Sequence, residues 1–182
     1  MAGRDAWADA FYEQARSDWA LFRELNERGD VPRCHALHYL QMATEKLAKA
    51  HRLRDTTVAD DVLLSTHAGF SAFLAAFLHS PALHREFRGR SAYLGAARRG
   101  CGHLARLVEQ LSPAVGGPGH PVNTEYPWAA GDAVVAPAAY GFPSIDLRGS
   151  HYARLLLNFV QLAFDDYAGG AGLRSGTRGS SG

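Results

Sequence analysis

Apolar residues recur at intervals of three and four along the first 112 residues and again near the C-terminus. The spacing is most regular over residues 32–54, where steps of 4, 3, 4 and 3 join Ala36, Leu40, Ala43, Leu47 and Ala50. An α-helix turns once in about 3.6 residues, so this spacing predicts an amphipathic helix with one buried side.

The same periodicity predicts helices over residues 5–27, 32–54, 65–78, 91–111 and 150–167. Gly29 and Asp30 end the first, Pro32 suits the first turn of the second, and Ser150 is a typical N-cap for the last. Pro81 closes the third helix. Short connections favour antiparallel neighbours, so the sequence predicts an all-α fold, an antiparallel bundle of four or five helices.

Residues 113–149 interrupt the helical pattern just before the last helix. They hold six of the eight prolines and show no sustained period. An irregular stretch of this length is uncommon in a compact domain unless its own side chains hold it down, and its four aromatic residues favour an ordered loop. Residues 169–182 are rich in glycine and serine and predict a flexible tail. We therefore expect one domain over residues 1–168.

Charge and cysteine content narrow the class of protein. The 182 residues carry 19 basic and 18 acidic side chains, a net charge of +1, which argues against wholesale wrapping of nucleic acid. No apolar run approaches the roughly 20 residues of a membrane span, and Asp5, Asp9 and Glu13 interrupt the N-terminal segment where a signal peptide would be apolar. Two isolated cysteines, Cys34 and Cys101, fit a reducing compartment. We expect a cytoplasmic protein without a membrane partner.

Residues 34–53, CHALHYLQMATEKLAKAHRL, resemble the signature helix of HEPN domains, a family of helical bundles associated with nucleotide and RNA transactions. Residues 15–25 resemble the opening helix of that family, and Ser-Thr-His at 65–67 resembles the start of its third helix. The likeness covers residues 15–80. It implies an all-α bundle that forms a homodimer, and often a metal-independent ribonuclease.

Active HEPN members carry an arginine followed, after four to six residues, by a histidine, and Arg98 and His103 match this motif. RNA supplies its own nucleophile, the 2′-hydroxyl, so a histidine that moves protons and an arginine that binds phosphate oxygens suffice. In a continuous helix, residues five apart lie about 140° apart, whereas Arg99 and His103 would share a face. Gly100 and Gly102 are weak helix formers. In an alternative geometry they break the helix, and Arg98 and His103 can then face the same site.

Arginines are concentrated between residues 85 and 106, where only one acidic residue occurs. They are Arg85, Arg88, Arg90, Arg98, Arg99 and Arg106. One interpretation is a phosphate-binding surface for RNA or a nucleotide. The other is a solvated helix face whose arginine stems cover apolar surface.

The second helix places His38, Gln41, Glu45 and Lys49 on one side at helical spacing. They either line a groove for a nucleotide or a second protomer, or form a polar face with one Glu45–Lys49 salt bridge. His35 and His38 lack further ligands at metal-binding spacing, so we expect no metal and no cofactor.

The loop run Asn-Thr-Glu-Tyr-Pro-Trp at 123–128 also has two interpretations. Tyr126 and Trp128 offer flat faces on which bases stack, or they anchor the loop to the bundle.

These observations leave three functional hypotheses. The favoured one is a non-catalytic HEPN-like module that binds RNA, a nucleotide or a protein partner such as a nucleotidyltransferase, linked to a defence system. The alternative is a metal-independent HEPN endoribonuclease that uses Arg98 and His103, as a toxin of a toxin–antitoxin pair or another defence effector. The third is a structural protein whose helices only dimerise.

Overall fold

The computed structural model describes residues 3–55, 65–80, 83–84, 87, 91–117 and 120–170, with the backbone alone for residues 91–93. Its helices are α1 (Arg4–Glu27), α2 (Arg33–Arg54), α3 (Phe70–Phe77), α4 (Ser91–Glu109), α5 (Pro113–Gly116) and α6 (His151–Ala168). The predicted all-α class is therefore confirmed. Within the described residues, every helix is too short or too polar to span a lipid bilayer.

The first two helices form an antiparallel hairpin. Arg4, at the start of α1, donates hydrogen bonds to the carbonyl oxygens of Leu53 and Asp55 at the end of α2, at 2.5 and 2.7 Å. The last helix packs beside this end, where Arg54 donates to the Tyr167 carbonyl at 3.0 Å. The α2 helix thus lies at the centre of the bundle, with buried residues on most of its circumference.

The hydrophobic core follows the predicted stripes. All five members of the α2 stripe are at most 4% exposed. The apolar residues at helical spacing in the third and fourth predicted helices are buried as well: Phe70, Phe73, Leu74, Phe77 and Leu78 in the third, and Leu94, Ala97, Cys101, Leu104, Val108 and Leu111 in the fourth. The spacing of Tyr152 to Leu155, Leu156 and Phe159 predicts it on the apolar side of the last helix, but Tyr152 is 41% exposed. Its ring lies instead against the backbone of α4.

The contact between Tyr152 and α4 explains the glycine in the middle of that helix. A Cβ atom placed on Gly100 would come within 2.3 Å of the Tyr152 ring, whereas one placed on Gly102 would meet nothing within 4 Å. Neither glycine interrupts α4, which is continuous from Ser91 to Glu109. The α4–α6 packing therefore depends on the missing side chain at position 100.

Two helix starts are set by side chains. The Ser150 hydroxyl accepts a hydrogen bond from the Ala153 amide at 3.3 Å, which confirms the predicted N-cap. The third helix begins at residue 70 rather than 65, because Gly69 adopts a φ of 143° immediately before it. Glu109 of α4 holds this start by accepting from the Gly69 amide and, at 2.7 Å, from the Ser71 hydroxyl. Pro81, predicted to close this helix, lies outside the described residues.

The loop between α4 and α6 contains structure that the sequence pattern did not predict. Besides α5 it holds an antiparallel hairpin of β1 (Trp128–Ala130) and β2 (Ala133–Val135), with Trp128 opposite Val135, and a 3-10 turn at Pro137–Ala139. Strands of three residues are too short to show an alternating pattern. Trp128 is buried and meets Tyr140 edge to face at 5.2 Å, as the anchoring interpretation predicts.

Candidate functional site

Side chains from α1, α2 and the segments that follow α2 and α4 line a cavity of about 470 Å³, here called the α2 groove. Its titratable lining includes His38, Glu45, Lys49, His67 and Glu125. Its walls also include the rings of Phe11 and Tyr126. The groove combines charged and aromatic groups in the volume range of small-ligand sites.

Gln41, Glu45 and Lys49 form the floor of the α2 groove. The residues lie four apart on α2, and the Glu45 carboxylate accepts from Gln41 Nε2 and from Lys49 Nζ, each at 2.9 Å. All three are nearly enclosed, at 2%, 9% and 8% exposure. The predicted common face and its Glu45–Lys49 salt bridge are confirmed, and tertiary packing buries the ion pair.

Two histidines pair with carboxylates at the sides of the groove. His67 Nδ1 lies 3.3 Å from Glu45 Oε1, and His38 Nδ1 lies 3.9 Å from Glu125 Oε1 and 3.4 Å from the Thr124 hydroxyl. Sequence reasoning did not assign His67 or Glu125 to this site. They come from segments outside α2. The only signal in the sequence was that His67 belongs to the Ser-Thr-His run at 65–67 and Glu125 to the run at 123–128.

Both lysines of the groove form ion pairs with carboxylates of the protein. Lys49 is paired with Glu45, and Lys46 Nζ lies 2.5 Å from the buried carboxylate of Asp18. Glu125 is different, since among the described residues it has no lysine or arginine partner. The described residues also contain no group of three or more His, Cys, Asp or Glu side chains placed to hold a metal ion.

A tight turn presents Tyr126 to the groove. The side-chain oxygen of Asn123 accepts from the amides of Glu125 and Tyr126 at 2.9 and 2.7 Å, while its amide donates to the Tyr126 carbonyl at 3.0 Å. Tyr126 is 62% exposed, although Trp128 two residues later is buried. The anchoring interpretation of the 123–128 run therefore holds for Trp128, and base stacking stays a prediction for the exposed ring of Tyr126.

The second candidate surface, here called the α4 basic face, consists of Arg99, His103 and Arg106. These residues lie four and three apart, so they follow one side of the helix, and all three are exposed. None of them has a hydrogen-bond or ion-pair partner among the described residues. Arg85, Arg88 and Arg90, predicted to extend this surface, lie outside the described residues.

The structure does not bring Arg98 onto the face of His103. Arg98 Nη2 donates to the Leu78 carbonyl at 2.9 Å, where the guanidinium lies at the C-terminal end of α3. A cation is favourable there because the helix dipole leaves partial negative charge on the last carbonyls. Arg98 Nε is buried without a partner among the described atoms. Arg99, in contrast, shares the exposed side with His103.

Neither cysteine offers a reactive thiolate. Cys34 and Cys101 are both buried, and burial raises the pKa of each thiol, that of Cys101 to about 12. The Cys101 thiol points to the Tyr152 carbonyl, 3.5 Å away. Because the thiolate is the nucleophilic form, cysteine chemistry does not belong to the site.

No model of a known protein family, no curated protein and no solved structure matches the chain. The HEPN resemblance therefore rests on residues 15–80 of the sequence.

Proposed function

We propose that the chain is a HEPN-like helical module that binds RNA through its phosphate groups without cleaving it. The α4 basic face is the observation that carries this proposal. Arg99 and Arg106 are exposed on the same side of α4, about 10 Å apart along the helix axis at 1.5 Å per residue. Each guanidinium can donate two hydrogen bonds to phosphate oxygens.

The engagement of Arg98 at the end of α3 supports binding rather than catalysis. An arginine that stabilises a cleaved phosphate must reach it together with the proton-transferring histidine. The Arg98 guanidinium is instead engaged at the Leu78 carbonyl. The motif residues Arg98 and His103 thus serve a packing contact and an exposed surface, respectively.

The proposal is tested by fluorescence anisotropy with labelled single-stranded RNA over a range of salt concentrations. The double variant Arg99→Ala/Arg106→Ala should bind more weakly. The slope of log affinity against log salt should fall in magnitude by about 1.4, because each single-strand phosphate contact contributes roughly 0.7. The matched control is Arg16→Ala/Arg23→Ala, which removes two exposed arginines from α1. Equal losses in both double variants would contradict a role for the α4 basic face.

The endoribonuclease remains a second candidate because Arg99 and His103 lie four residues apart on an exposed face. In that function His103 would transfer protons and Arg99 would hold the phosphate. End-labelled RNA is incubated in EDTA with wild type and with the single variants Arg98→Ala, Arg99→Ala and His103→Ala. We expect intact RNA throughout. Cleavage by wild type that His103→Ala loses would replace the binding function with the enzymatic one.

The HEPN resemblance also motivates a proposal about partners. We expect the chain to form a homodimer and, in a defence system, to associate with a nucleotidyltransferase-type protein. Sedimentation equilibrium at micromolar concentration tests the first expectation, for which a monomer is the contrary result. Titration with such a purified partner tests the second.

A further inference from the structure

The charges that line the α2 groove disfavour a phosphate group. Its lysines already bind carboxylates, Lys46 to Asp18 and Lys49 to Glu45. The carboxylate of Glu125 is left without a lysine or arginine partner among the described residues, and His38, at 3.9 Å, adds positive charge only when protonated. An RNA phosphate brought into the groove would therefore meet an uncompensated negative charge. A neutral part of the nucleotide fits better.

A nucleobase is the neutral part that matches the remaining lining. The Phe11 and Tyr126 rings offer apolar faces, and Tyr126 is 62% exposed and held by the Asn123 turn. Base stacking on an aromatic side chain is favourable for every base, so Tyr126 explains binding but not selection. Selection requires a polar group whose hydrogen-bonding pattern matches the edge of one base.

The Glu125 carboxylate, whose ion-pair partner among the described residues is His38, supplies that pattern. An ionised carboxylate only accepts hydrogen bonds and has two oxygens side by side. Guanine is the one common RNA base with two adjacent donors on its Watson–Crick edge, N1–H and the N2 amino group. We propose that the α2 groove is a base pocket that selects an unpaired guanine of the bound RNA through Glu125. This inference rests on the proposed function.

The position of the groove is compatible with one RNA strand reaching both surfaces. Ser112 lines the groove and lies six residues beyond Arg106 of the α4 basic face. Three of these six residues belong to α4, which ends at Glu109, so the helix rises about 4.5 Å between Arg106 and its end at 1.5 Å per residue. The groove and the α4 basic face are therefore close along the chain. A base within a duplex has its Watson–Crick edge occupied, so the pocket favours single strands.

The experiment measures the affinity of octamers of uridine that carry one central guanosine, adenosine or inosine. Wild type should bind the guanosine octamer about ten-fold or more tightly than the adenosine octamer, the scale of one bidentate contact. Inosine, which lacks the N2 amino group, should lie between them. Glu125→Gln should lose the preference, because an amide offers one acceptor and one donor group. Glu13→Gln, which alters an exposed carboxylate of α1, is the matched control.

The outcomes separate the base pocket from the proposed function. Equal affinity of wild type for all octamers, with binding still dependent on Arg99 and Arg106, would overturn the pocket and retain the RNA-binding face. Guanosine itself is titrated in parallel, with adenosine as the reference. Guanosine binding that Glu125→Gln abolishes, in a protein that binds no octamer, would retain the pocket and overturn the RNA-binding function. A guanosine preference that Glu125→Gln leaves intact would also overturn the assignment.

Discussion

The buried histidine of α2 makes stability depend on pH in a predictable way. His51 is 0% exposed and packs against Phe73 and Tyr167, with ring centroids 4.8 and 5.3 Å away. Its Nε2 lies 2.9 Å from the Ala163 carbonyl, which only accepts, so Nε2 carries the hydrogen. Nδ1 has no partner among the described atoms. Burial disfavours the imidazolium and lowers the His51 pKa from 6.5 to about 4.

The sign and size of the pH effect on the free energy of unfolding follow from the difference between the His51 pKa in the folded chain and in the unfolded chain. Well above pH 6.5 the imidazole is neutral in both states and the full stability is present. Between pH 6.5 and 4 the unfolded chain takes up the proton more readily, so the free energy of unfolding falls. At about 1.4 kcal/mol per pKa unit, the loss reaches about 3 kcal/mol near pH 4.

Urea unfolding followed by circular dichroism at pH 8, 6.5, 5.5 and 4.5 measures the effect. His51→Phe keeps an aromatic ring but cannot titrate, so its stability relative to wild type should rise by about 2.5 kcal/mol between pH 8 and 4.5. Comparing the variant with wild type cancels the other titrating groups. His79→Phe, at an exposed position, should follow wild type. A difference between His51→Phe and wild type that stays constant with pH would refute the reasoning.

Two further predictions concern packing, and chemical denaturation measures both. Glu45→Ala should lower the free energy of unfolding by about 3–5 kcal/mol because it leaves the buried Lys49 ammonium uncompensated. The double variant Glu45→Leu/Lys49→Leu should recover most of this loss, and a double variant no more stable than the single one would contradict the explanation. Gly100→Ala should lower the free energy of unfolding by about 1–3 kcal/mol, since its Cβ would meet the Tyr152 ring. Gly102→Ala, which meets nothing, should raise it by up to about 1 kcal/mol, and equal effects of the two would exclude the packing argument.

The helices could be predicted because their signal is local. The α2 stripe from Ala36 to Ala50 is buried as its spacing indicates, and the Ser150 cap sits where a capping residue precedes an apolar run. The hairpin around Trp128 could not be predicted, because strands of three residues are defined by their pairing rather than by a repeat. The exposure of Tyr152 likewise depends on a glycine in another helix.

The candidate site was predictable only in part. The sequence placed Gln41, Glu45 and Lys49 on one side of α2, since residues four apart on a helix are neighbours. It gave no means to recognise that His67 and Glu125, from segments after α2 and α4, line the same cavity. Pairings across such separations are fixed by how the helices pack.

The sequence by itself determined the helices, their buried sides and the surplus of arginine around α4, because each is a property of neighbouring residues. Only the tertiary structure decided which charged side chains are paired within the fold and which are exposed. Packing buries the Glu45–Lys49 ion pair at the floor of the α2 groove. Arg98 binds the Leu78 carbonyl at the end of α3, whereas Arg99 and Arg106 are exposed. The physical reason is that the environment of a charge depends on groups brought close by folding, which periodicity along the chain does not encode.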